Sequence, residues 1–103
     1  MSDETKQEFL TVLREILVTA EELRADCLAG RRGDRPESAE ELRIVMEELR
    51  DLEGRVLRGE PMPDFPARVR EKRLGSARIA LDWNYSPLAY RVMELSRLYT
   101  QLE

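Results

Sequence analysis

"VREKRLGSARIALDWNYSP", residues 69 to 87, decides between an all-helical chain and one that carries a strand. Read at helical spacing, Phe65, Val69, Ala80 and Trp83 can share one face, but Arg73 and Ser76 fall on that face between them. Read at a period of two, Ala77, Ile79, Leu81 and Trp83 alternate with Arg78, Ala80 and Asp82, which is the pattern of a half-buried strand. A strand needs a neighbour, and no second alternating run exists in these 103 residues, so it would have to pair between two copies of the chain. Helix is therefore the preferred reading of residues 65 to 82, with Gly75 as the weak point or break.

The flanking sequence supports helices on both sides. Phe9, Leu13, Ile16, Ala20, Leu23 and Cys27 step by four and three, which aligns one face of a first helix over about 4–29. Leu10, Val12, Leu17 and Val18 widen that stripe, as expected of a helix with more than one neighbour. Thr5 with Glu8 fits a capping box, and Gly30 offers a left-handed stop. The polar stretch "GRRGDRPE" (30–37) then breaks the periodicity and forms a surface loop. Ser38 and Glu41 make a second capping box, followed by Leu42, Val45, Leu49, Leu52 and Val56, so a second helix runs over about 38–58 to a stop at Gly59.

Three prolines in "EPMPDFP" (60–66) end regular structure, while Asp64 and Pro66 suit a new helix start. Ser86 and Pro87 mark another, after which Leu88, Val92, Leu95, Tyr99 and Leu102 give a last helix over about 87–102. The expectation is one all-α domain spanning 1–103. It is a small helical bundle with an N-terminal antiparallel helix hairpin, three long helices, and one shorter or broken segment.

Fifteen Leu, six Val and three Ile are enough for a single core, though a modest one that pairing of two chains would extend. Charged residues reach 37%, but the 42% that are apolar recur at strict spacing, which argues for a folded chain. The longest apolar run is three residues, far short of a membrane span, and residues 1 to 20 lack the pattern of a secretory signal. A soluble, cytoplasmic protein without membrane contact is expected. Cys27, the only cysteine, can form no disulfide within the chain, and its place on the apolar row suits a buried thiol.

Chemistry is sparse. The chain has no histidine, which removes the commonest general base and every Ser-His or Cys-His arrangement. Its five glycines are scattered, so no phosphate-cradling loop is expected. Glu8, Glu15 and Glu22 lie seven apart, about 10 Å along a helix, too far for two to share an ion. No enzyme, cofactor or metal site is expected from these residues.

Charge is divided unevenly. Residues 1–60 carry 16 acidic and 10 basic side chains, whereas residues 61–103 carry 5 and 7, within an overall net charge of −4. Glu40, Glu47 and their acidic neighbours in the second helix suit surface pairs, Glu40 with Arg43, Glu47 with Arg50 and Arg50 with Glu53, or a field that steers in a basic partner. The basic run holds Arg68, Arg70, Lys72, Arg73 and Arg78. Nucleic acid is disfavoured by the net negative charge; pairing with acidic helices, of this chain or a second copy, uses both halves. Trp83, Tyr85 and Tyr90 flank the Pro87 turn and serve either as a core corner or as an interface anchor. Arg31, Arg32 and Arg35 form a further basic cluster in the first loop.

The function expected is that of a small acidic, non-catalytic protein-binding protein, such as an inhibitor or antitoxin-like protein that covers a basic partner surface. A structural or adaptor subunit of a homo-oligomer, most simply a homodimer, is the alternative. A nucleic-acid-associated helical protein using Arg68 to Arg78 comes third. The residues nominated for partner contact are Trp83, Tyr85, Tyr90, Arg70, Lys72, Arg73, Glu40 and Glu47.

Overall fold

The computed structural model describes residues 3 to 102. Among them are five helices and no strand: α1 (Asp3–Leu28), α2 (Ala39–Arg58), α3 (Phe65–Glu71), α4 (Gly75–Ala80) and α5 (Pro87–Tyr99). The all-α reading holds, and the deciding stretch is helical but broken. The strand alternative is not realised.

The hairpin is held by its stripes. Phe9, Leu13, Ile16 and Ala20 of α1 and Leu42, Val45, Leu49, Leu52 and Val56 of α2 are all buried. α1 packs on α2 and on α5, while α4 bridges α2 and α5. Antiparallel order is fixed by two links: the Cys27 thiol donates to the Glu37 carbonyl beside the loop, and Arg14 pairs with Glu53 at 2.8 Å, well away from it along both helices. The molecule measures 41 × 24 × 20 Å, its long axis matching the roughly 39 Å of a 26-residue helix. Val18 does not widen the stripe as expected; it is 58% exposed.

Local chemistry sets the helix ends at Ser38, Ser86, Gly30 and Gly59. The Ser38 hydroxyl accepts from the Glu41 N–H while the Glu41 carboxylate accepts from the Ser38 N–H, both at 3.1 Å. Ser86 caps α5 by accepting from the Ala89 N–H at 3.2 Å. Gly30 and Gly59, at φ of 75° and 70°, each close a helix with paired back-bonds, Arg31 N to Asp26 O with Gly30 N to Cys27 O, and Glu60 N to Arg55 O with Gly59 N to Val56 O. At two other places the expected cap is not made. α1 is already helical at Asp3, ahead of Thr5, and Asp64 precedes α3 without a side-chain cap bond.

The break in residues 65–82 falls at Lys72, not at Gly75. α3 ends in the same paired motif, Arg73 N to Arg68 O and Lys72 N to Val69 O, but the left-handed position is filled by Lys72 at φ 60°. Two distant side chains fix the start of α4: the Leu74 N–H donates to Ser96 Oγ at 2.6 Å, and the Ser76 N–H donates to Glu48 Oε1 at 2.7 Å. Gly75 opens α4, and it serves a close approach. A Cβ there would sit 2.6 Å from Glu48 Oε2. α5 also ends earlier than its apolar row, at Tyr99, although Leu102 remains buried.

Candidate functional site

The turn between α4 and α5 separates the aromatic cluster into two roles. Trp83 is fully buried, and its indole N–H donates to Glu41 Oε1 at 3.3 Å, tying the turn to the start of α2. It is a core residue; the expectation that it contacts a partner is corrected here. The Ser86 N–H then bonds back to the Trp83 carbonyl at 3.0 Å across Asn84 and Tyr85, both at positive φ (48° and 56°). Such a turn favours Gly, Asn or Asp, so Asn84 fits and Tyr85 is held against its preference. The consequence is that the Tyr85 ring is thrown out to 81% exposure, 6.1 Å from the ring of Tyr90, itself 61% exposed.

Tyr85 and Tyr90 border a hollow of about 290 Å³ that is completed by Ala80, Leu81, Ala89 and Met93. Leu81 and Met93 are also walls of a larger groove of about 730 Å³ between α3, α4 and α5, which carries Lys72, Arg73 and Arg97 together with Glu71, itself paired with Arg78. One face therefore runs from two tyrosines, over a floor of Leu81, Met93 and Ala77, to three cations. Along α5 its outer row is Tyr90, Met93, Arg97 and Thr100, spaced three or four apart.

Among the described residues the cations of this face have no ion-pair partner. Of the basic run, Arg68 lies 3.4 Å from Glu48 and 5.9 Å above the ring of Tyr99, and Arg78 pairs with Glu71. Among the described residues Arg70, Lys72, Arg73 and Arg97 make no ion pair, and Arg73 Nε is buried with no hydrogen-bond partner.

The acidic candidates lie elsewhere. Glu40 and Glu47 grip Arg43 between them on the outside of α2, Glu47 at 2.6 Å, and the hydrogen bond from Arg43 holds the Glu40 carboxyl below the usual carboxylate range. Glu47 lines a separate hollow with Arg24, Arg43, Met46 and Arg50. The expected pairing through Arg50 is not made: Glu47 goes to Arg43, Glu53 goes to Arg14 of α1, and Arg50 has no ion pair among the described residues. The first-loop arginines stay exposed but find partners within the chain, Arg31 and Arg35 at Asp26 and Arg32 at the carbonyls of Arg35 and Pro36. Among the described residues no cluster of three or more His, Cys, Asp or Glu could hold a metal ion, and no helix is long and apolar enough to cross a membrane.

Of the eight nominated residues, Tyr85, Tyr90, Lys72 and Arg73 come together on the groove face. Arg70 stands exposed on α3 but does not line the groove, Trp83 is in the core, and Glu40 and Glu47 are on another side. Leu81, Met93 and Arg97 were not nominated. The signal for two of them lay in the last helix, where Met93 and Arg97 continue the row begun by Tyr90 opposite the buried stripe. No family model, curated protein or solved structure matches this chain.

Proposed function

We propose that the chain is a non-catalytic protein-binding module whose contact surface is the groove face of α3, α4 and α5. One observation carries the reading: exposed apolar and aromatic side chains (Leu81, Tyr85, Tyr90) and cations with no partner among the described residues (Lys72, Arg73, Arg97) share one concave face. Tyrosine, arginine and methionine around an apolar floor are the composition of an interface centre. Two of these residues, Tyr85 and Lys72, also occupy left-handed positions that glycine fills at lower cost, which is strain kept where the face is made.

The inhibitor or antitoxin-like form, in which acidic helices cover a basic partner, draws less support. Glu40, Glu47, Asp51 and Glu53 of α2 are already engaged by Arg43, Arg55 and Arg14. Phosphate contact by Arg70, Lys72, Arg73 and Arg97 is the second reading, favoured by the freedom of those cations and opposed by the apolar floor between them and the tyrosines.

Photo-crosslinking tests the reading in the producing cell. A photoreactive residue at position 90 is expected to give protein adducts that disappear with Leu81→Glu, while the same probe at position 18 gives none. Equal adducts from both positions, or adducts removed only by nuclease, contradict it.

A further inference from the structure

The groove face has two chemically distinct ends, one of tyrosines and one of cations beside the Glu71 carboxylate, which a two-fold rotation would exchange. Its chemistry is polar in the directional sense: tyrosine rings at one end, cations at the other, and an apolar centre at Leu81 and Met93, the two residues shared by both hollows. A two-fold axis through the centre exchanges the ends, so each copy's tyrosines meet the other's cations. On α5 the register is simple. In an antiparallel pair of α5 helices whose two-fold axis passes beside Met93, between it and Glu94, positions equidistant from the axis face each other, so Tyr90 of one copy meets Arg97 of the other, and the contact occurs twice.

Several of these groups lack, among the described residues, a partner that the second copy would supply, while Tyr90 already lies against Tyr85. Arg97 and Lys72 have no ion pair among the described residues, and a guanidinium over a tyrosine face is a favourable contact. Leu81 is 59% exposed and would be covered together with its symmetry mate. A parallel arrangement places cations against cations and lacks these pairings.

We infer that the partner seated on this face is a second copy of the chain, joined through an antiparallel α5 to α5 contact centred on Leu81 and Met93. The inference rests on the reading of the groove as a protein-binding face and specifies its occupant.

Light scattering and sedimentation equilibrium test it on the purified chain from about 1 to 100 µM. Wild-type protein is expected to reach twice the 12.0 kDa of one chain. Leu81→Glu should weaken association roughly tenfold or more with the helical spectrum and melting profile retained, and Met93→Glu should weaken it as much while lowering the melting temperature, because Met93 packs partly against the core. Val18→Glu, outside the groove face, should not. The geometry is tested by exchange: Arg97→Glu and Tyr90→Arg each self-associate poorly, and mixing the two restores a dimer, because glutamate at 97 then meets arginine at 90 while the native pair forms at the other end. A wild-type chain that stays monomeric at 100 µM overturns the inference, as does a dimer that ignores Leu81→Glu and Met93→Glu, or variants that fail to rescue each other. Failure here leaves a foreign partner for the groove, which the crosslink from position 90 would still report by an adduct mass different from that of a doubled chain.

Discussion

The helical hairpin and the C-terminal half solve the same local problem differently. α1 and α2 both end in a back-bonded left-handed turn filled by glycine, and α3 ends in that turn filled by Lys72. In the hairpin, Arg14, Arg43 and Arg55 each find a carboxylate on α2. In the C-terminal half Arg70, Lys72, Arg73 and Arg97 find none among the described residues, and Tyr85 sits in a turn position that suits Gly or Asn. The hairpin too leaves Arg50 without an ion pair and Arg24 Nε without a hydrogen bond among the described residues, but its left-handed positions are filled by glycine. The second half accepts backbone strain and unpaired charge along one groove, and the proposed partner-binding role rests on that combination.

The largest expected effect separates two aromatics two residues apart. Trp83→Ala should cost about 3–5 kcal/mol in urea unfolding, since it empties a fully buried site and frees Glu41, whereas Tyr85→Ala should leave stability within about 1 kcal/mol of wild type. Equal losses would erase the distinction drawn between core and surface at this turn.

Next comes the junction that positions the groove. Glu48 caps α4 from 28 residues away, so Glu48→Ala should cost about 1–3 kcal/mol, and Gly75→Ala should cost a similar or smaller amount by crowding the same carboxylate. If Gly75→Ala instead stabilises the chain, as an exposed helix position would, the capping role of Glu48 is misassigned.

The smallest effect is a pH dependence. Burial of Tyr99, only partly offset by Arg68, raises its hydroxyl above the ordinary value of 10.0. A raised folded value means that the stability is present below pH 10 and lost as pH climbs through the folded value, because the unfolded chain releases that proton first. Tyr99→Phe should flatten the alkaline limb of a stability profile, at a cost near neutrality of about 1 kcal/mol for the lost bond to the Pro63 carbonyl. An unchanged alkaline limb would place the titrating group elsewhere.

Much of the architecture was readable from single residues. The 3-and-4 rows of Phe9 to Ala20 and Leu42 to Val56, the Ser38 and Glu41 box, the Ser86 and Pro87 start, and the Gly30 and Gly59 stops are local signals, and the protein uses each as read. The stop at Lys72 was not readable, because lysine carries no left-handed preference; the junction is fixed by the contacts of Leu74 with Ser96 and of Ser76 with Glu48, which lie 22 and 28 residues apart in sequence. The separation of Trp83 from Tyr85 was hidden for the same reason. Alternation through residues 77–83 mimicked a strand because a short helix and a reversal expose Leu81 and bury Trp83 within three positions. The groove needed α3, α4 and α5 in place before Leu81, Met93 and Arg97 could be seen as one face.

The central claim is that the groove face is maintained at the expense of backbone comfort, and the double variant Lys72→Gly with Tyr85→Gly measures it most directly. Urea unfolding at a concentration too low for self-association, paired with light scattering at a high one, gives both sides. The account predicts a gain of about 1–2 kcal/mol in stability together with weaker association. Loss of stability, or a gain with association unchanged, would contradict it.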